Sequence, residues 1–109
     1  MEISRHQADM CAALGDVHRL LLLYALADNA QSVSELVQRV SLSQPAVSRH
    51  LRIMRESGVV RAERRGKSIY YCPVDLRIFE VLRLLRAIST DQMQKQGDAA
   101  QSAATRPPV

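Results

Sequence analysis

The sequence predicts a mainly helical α+β fold of about five helices and a two-stranded β-hairpin, and three observations lead there. Apolar residues recur at helical spacing in one segment after another. Two of these segments are joined by only a few residues, and the second is basic. Directly after it, two runs rich in β-branched and aromatic residues flank Arg64-Arg65-Gly66-Lys67. At 109 residues and 47% hydrophobic content there is room for one domain with a modest core, placed over residues 1–96. The segment 97–109, GDAAQSAATRPPV, is small and polar with two prolines, and it is expected to be a disordered tail.

The first helix is expected over residues 3–14, where Ile3, Gln7, Met10 and Leu14 make a thin stripe. Gly15 ends it and Asp16 caps the second helix, VHRLLLLYALAD, which runs to about Asp28. Leu20 to Ala27 is apolar on all sides, so this helix is expected to be buried at the centre. Ser32 and Glu35 take the first and fourth positions of a capping box, which starts a third helix through Leu36, Val37 and Val40.

Ser43 then caps the fourth helix, Pro45 fits its first turn, and Gly58 supplies a left-handed stop. Val47, Leu51 and Met54 turn one face to the core, while Arg49, Arg52 and Arg55 occupy the other. The third and fourth helices form a helix-turn-helix, and Val59–Glu63 and Ser68–Cys72 form a hairpin with Gly66 at its tip. A helix-turn-helix followed by a hairpin is a winged helix. Pro73 stops the second strand, and Asp75 can cap a last helix of about 20 residues. Its Leu76, Phe79, Leu82 and Leu85, flanked by Ile78, Val81, Leu84 and Ile88, make an apolar face too wide for one neighbour. A homodimer through the first and last helices is therefore expected.

Charge is concentrated. Between Arg49 and Lys67 lie seven basic residues and two acidic ones, Glu56 and Glu63, whereas the whole chain carries only +4. That field, together with short or forked hydrogen-bonding side chains at the start of the fourth helix, points to double-stranded DNA. MEISRHQADM has no signal-peptide pattern and no apolar run reaches membrane length, so a cytoplasmic protein is expected. No nucleophile with its base, no paired carboxylates and no phosphate-cradling glycine loop can be found, which argues against an enzyme.

The runs ALGDVHRLLLLYAL and SVSELVQRVSLSQPAVSRHLRIMRESGVVRAERRGKSIYY resemble the ArsR/SmtB family of bacterial winged-helix repressors, over roughly Ala12 to Val74. The resemblance implies a dimeric repressor that occupies a pseudo-palindromic operator until an inducer loosens it. It also implies DNA contacts from Ser43, Gln44, Ser48, Arg49 and His50 in the fourth helix, and from Arg64, Arg65 and Lys67 in the wing; Arg52, on the basic face of the same helix, is expected to join them. The chemistry agrees: arginine can bind guanine bidentately, glutamine can do the same at adenine, and wing cations suit phosphates or a narrow minor groove.

Two familiar sensor sites of that family have no counterpart. Where many members carry Cys-Val-Cys, this chain has Ser32-Val33-Ser34, whose hydroxyls do not supply soft thiolates. No histidine follows His50, so the metal set of the last helix is also missing. Cys11 and Cys72 remain. Each can be a small apolar core residue. The sharper reading joins them across a dimer as a sensor for arsenite, reactive sulfur or an oxidant, with a thiophilic metalloid or metal ion as the only cofactor implied. Two thiolates alone do not complete a zinc site. His18 reads as a structural histidine, and the pair His6–Met10 carries little. The rival readings are a winged-helix regulator that senses no ligand directly and a protein-interaction module.

Overall fold

The computed structural model describes residues 1–105 and divides into two compact units, Met1–Ile78 and the segment from Phe79 onward. In the first unit the order is α1 (Arg5–Ala13), α2 (Val17–Ala25), β1 (Gln31–Ser32), α3 (Val33–Arg39), α4 (Gln44–Glu56), β2 (Val60–Arg65) and β3 (Ser68–Pro73). α5 (Ile78–Thr105) makes up the second. No helix among the described residues is long and apolar enough to cross a membrane.

The helix starts follow their capping residues. Ser4 accepts from the Gln7 N–H at 3.1 Å, and Asp16 accepts from His18 and Arg19 N–H at 2.8 and 3.1 Å. Ser32 and Ser43 accept from Glu35 and Ala46 N–H at 3.2 and 3.3 Å. Each cap satisfies an N–H that the helix itself leaves orphaned. α2 stops at Ala25, short of the expected Asp28. The Ala25 carbonyl there accepts from the Gln31 side-chain amide and, at 3.2 Å, from Arg39 Nη1, and Leu26 and Ala27 N–H bond back three residues.

Leu22, Leu23 and Leu26 of the α2 segment join Leu36, Val47, Leu51, Met54, Val59 and Val60 in the core, each at most 2% exposed. Fully burying one such side chain stabilises by about 1.5–3 kcal/mol, so these residues set the angle of α4 on α2 and α3. The expectation that α2 is buried all round does not hold: Leu21 and Tyr24 are 54% and 40% exposed, because α3 and α4 cover only one side of it.

The wing is longer than the hairpin expected, and it belongs to a three-stranded sheet. β2 and β3 pair antiparallel from Val60↔Pro73 to Arg65↔Ser68, leaving the two-residue loop Gly66-Lys67. Gly66 has φ 61°, the left-handed conformation such a loop needs at its first position. β1 adds a third strand through Gln31↔Tyr71 and Ser32↔Tyr70. Two residues are too short a run to show alternation in a sequence. α5, described by itself, runs 28 residues, beyond the length expected, and passes through Gly97 where a disordered tail was expected to begin. The alanines at 99, 100, 103 and 104 are strong helix formers. Residues 106–109 of that tail lie outside the described residues.

Candidate nucleic-acid interface

α4 separates its two faces by residue type. Val47, Leu51 and Met54 are buried, whereas Ser43, Gln44, Ser48, Arg49, Arg52 and Arg55 are exposed. The exposed set therefore includes every α4 residue expected to meet DNA except His50. That expectation is corrected: His50 is only 5% exposed. Three residues after Val47 and four before Met54, it falls on the apolar stripe, and its Nδ1 lies 3.4 Å from Arg19 Nη1. Burial lowers the pKa of this imidazole and keeps it neutral, with a smaller upward push from Asp16. A neutral, buried ring is not placed to donate to phosphate.

Arg49, Arg52 and Arg55, with Pro45, Ser48 and Tyr71 of β3, line an open groove of about 520 Å³. Three guanidinium groups one turn apart make a positive track, and among the described residues none forms a salt bridge with an acidic side chain. Their charge is thus available to a polyanion. Arg55 and Tyr71 were not among the DNA contacts expected from the sequence. For Arg55 the signal was its three-residue spacing from Arg52; for Tyr71 it was the strand pairing, which no linear pattern shows.

In the wing, Arg64, Arg65 and Lys67 are all exposed, but they are held differently. Arg64 Nε donates to the Gly66 carbonyl at 3.4 Å. Arg65 lies 3.3 Å from Glu63 Oε2, with its guanidinium 5.2 Å from the Tyr70 ring centroid. Glu63 offsets part of the Arg65 charge, and the ring restrains its direction. Lys67, at the loop, has no acidic partner among the described residues.

Residues 16–62, which span the helix-turn-helix and the start of the wing, match the family described as bacterial regulatory protein, arsR family. An uncharacterised HTH-type transcriptional regulator of Methanocaldococcus jannaschii is 34% identical over 86 residues, covering 78% of this chain and 97% of that one. The chain belongs to the ArsR family. A further relative, the biofilm growth-associated repressor of Xylella fastidiosa strain Temecula1, is 32% identical over 85 residues, 78% of this chain and 75% of its own. Among solved structures, Mycobacterium tuberculosis Rv0081 superimposes with a TM-score of 0.75 at 27% identity, covering 83% of this chain and 91% of that one. This ArsR-family protein is accordingly a winged-helix, DNA-binding transcriptional regulator and not an enzyme.

The Ser32 hydroxyl is engaged in capping α3, and Ser34 is exposed on its first turn. Neither is a ligand for a soft metal or metalloid. Cys11 is an exposed free thiol on α1 and Cys72 a half-buried one on β3, opposite Arg61. They stand on separate elements, with no disulfide between them. His18, read as a structural histidine, is exposed and lies beside His50 and Asp16.

Proposed function

We propose that this protein is a cytoplasmic, homodimeric, sequence-specific repressor that leaves its operator when an inducer acts on it. The observation carrying the DNA half is the groove of Arg49, Arg52 and Arg55 with Tyr71, flanked by the exposed Ser43, Gln44 and Ser48 and by the wing cations. Helix residues would read base edges, and the wing would hold the backbone. Repression is supported by the name of the Xylella fastidiosa relative.

The dimer is supported by α5, on which Val81, Leu84, Leu85 and Ile88 are 48–55% exposed along one apolar stripe. A second copy would cover it. Two α4 helices would then address pseudo-palindromic half-sites about 34–36 Å apart or a multiple of that. Release through thiols is supported by the exposure of Cys11 and the partial exposure of Cys72, which a partner subunit could bring together.

The test is fluorescence anisotropy on the DNA upstream of the protein's own gene, over a salt series. A steep fall of affinity with salt is expected, because phosphate neutralisation releases counterions. A protein-interaction module would bind no duplex with such a slope. Repeating the titration with arsenite, polysulfide and peroxide, in wild type and in the Cys11→Ser and Cys72→Ser proteins, tests the thiols. Equal release in all three proteins would remove the cysteines from the mechanism.

A further inference from the structure

Where α2 meets α4, a carboxylate and two imidazoles converge outside the DNA-facing groove. Asp16, His18 and His50 each offer one ligand atom, and the three atoms lie within 4.8 Å of one another. The rings of His18 and His50 are 6.0 Å apart between centroids and tilted by 47°. His50 is buried, His18 is exposed and Asp16 is half-buried, so the cluster runs from the core to the surface. Neither the DNA contacts nor the thiols use it.

Two imidazoles and a carboxylate suit a divalent first-row ion such as Zn²⁺ or Co²⁺, with a further position left for water. Metal–ligand bonds of about 2.0–2.2 Å require the three atoms to draw somewhat closer, and the exposed His18 side chain is free to turn inward. A neutral imidazole has one lone pair to give, and His50 Nδ1 faces the Arg19 guanidinium, which can only donate.

We infer that Asp16, His18 and His50 form a site for a divalent transition-metal ion, which competes with Arg19 for the one lone pair of the His50 ring. Arg19 Nη1 is 3.4 Å from His50 Nδ1, and a guanidinium only donates, so Nδ1 accepts and Nε2 carries the proton. A metal at Nδ1 displaces the guanidinium. A metal at Nε2 leaves Nδ1 protonated and facing a second donor. In both cases the Arg19–His50 hydrogen bond breaks, and withdrawal of the guanidinium removes a like charge from the site.

That hydrogen bond links the DNA-facing helix to the α1–α2 turn. Arg19 also donates to the Ala13 carbonyl at 2.6 Å and the Ala12 carbonyl at 3.5 Å, while His50 directly follows Ser48 and Arg49 on α4. Metal binding therefore exchanges one set of restraints on α4 for another and changes its affinity for DNA. By linkage, DNA changes the affinity for metal by the same factor. This regulatory half rests on the proposed DNA-binding function; the site itself does not.

The experiment is a Co²⁺ titration of the full chain followed by absorption, with Zn²⁺ as competitor. One ion per chain is expected, displaced by Zn²⁺, with ligand-field bands and no thiolate charge-transfer band. Even a hydrogen-bond partner of a metal ligand is worth about 10- to 100-fold in affinity, so His18→Ala should lose about tenfold or more while retaining its far-ultraviolet circular dichroism. Asp16→Asn, which keeps a helix cap but not the anion, should lose affinity likewise. No uptake at millimolar Co²⁺, uptake indifferent to both substitutions, or a thiolate band abolished by Cys11→Ser or Cys72→Ser would each overturn the site. DNA binding by the metal-free wild type is measured alongside: its failure overturns the DNA reading, and the Co²⁺ result still decides the site.

Discussion

The imidazole of His6 closes over Gly58, so that a Cβ at position 58 would stand 2.7 Å from His6 Cε1. Gly58 also has φ 79° and ends α4, which makes glycine necessary there for both conformation and space. Gly58→Ala should therefore lose about 1–2 kcal/mol to the left-handed backbone, and more to the clash with His6. In Gly58→Ala with His6→Ala, only the clash part should return. Urea denaturation of the four proteins measures this, and a single Gly58→Ala variant as stable as wild type would show that the α1–α4 approach yields freely.

Arg49 is exposed on the first half of α4 and lines the groove shared with Tyr71. Arg49→Ala should cost about 1–3 kcal/mol on the cognate duplex and relax the preference for one base pair. Binding to a library of operator variants checks it. An unchanged sequence preference would assign Arg49 to the backbone instead.

The wing arginines should behave unequally. Arg65 is restrained by Glu63 and the Tyr70 ring, while among the described residues Arg64 has only the Gly66 carbonyl. Replacing both by alanine should weaken binding on all sequences and flatten the salt dependence by about one unit of slope for each phosphate no longer neutralised. Glu63→Gln, which frees the charge of Arg65, should strengthen non-specific binding. A lower affinity with an unaltered salt slope would exclude phosphate contacts at the wing.

Much of this architecture is legible because capping and periodicity are local. Ser43, Pro45, Gly58 and the Val47–Leu51–Met54 stripe mark α4 from within thirteen or so residues of chain. His50 is legible too, at a helical spacing from Val47 and Met54, although the family resemblance implies a DNA contact there. Leu21 and Tyr24 misled for another reason: an uninterrupted apolar run does not say which side a neighbour covers. β1, the place of Tyr71 in the groove and the meeting of Asp16 and His18 with His50 depend on chain segments far apart in sequence. No window of residues contains that information.

The exposed stripe on α5 bears directly on assembly. Leu84 and Leu85 are 54% and 55% exposed, and a second copy that covered them would bury most of that apolar surface. Leu85→Glu would place a charge in that interface, and an unpaired buried charge is costly. The variant should sediment as a monomer at concentrations where the wild type is a dimer, and it should lose affinity for two half-sites more than for one. A wild type that is monomeric at all accessible concentrations would sink the dimer.

Asp75 and Arg77 carry the clearest pH signature. Arg77 Nη2 lies 2.7 Å from Asp75 Oδ2, and the Arg77 N–H bonds Oδ1 at 2.9 Å. First the guanidinium and then this N–H hold the Asp75 carboxyl down to about 2, from the ordinary 3.8. A carboxyl whose folded pKa is depressed stabilises the fold above its unfolded value. That contribution should be complete above about pH 5, decline as the pH falls through 3.8, and be gone below about 2. Because both side chains are largely exposed, it should be small and should shrink with added salt. NMR titration of the Asp75 carboxyl gives the midpoint directly. In Arg77→Ala the backbone N–H survives, so the midpoint should rise towards 3.8 without reaching it, and a wild-type midpoint already at 3.8 would show that the ion pair does not hold in solution.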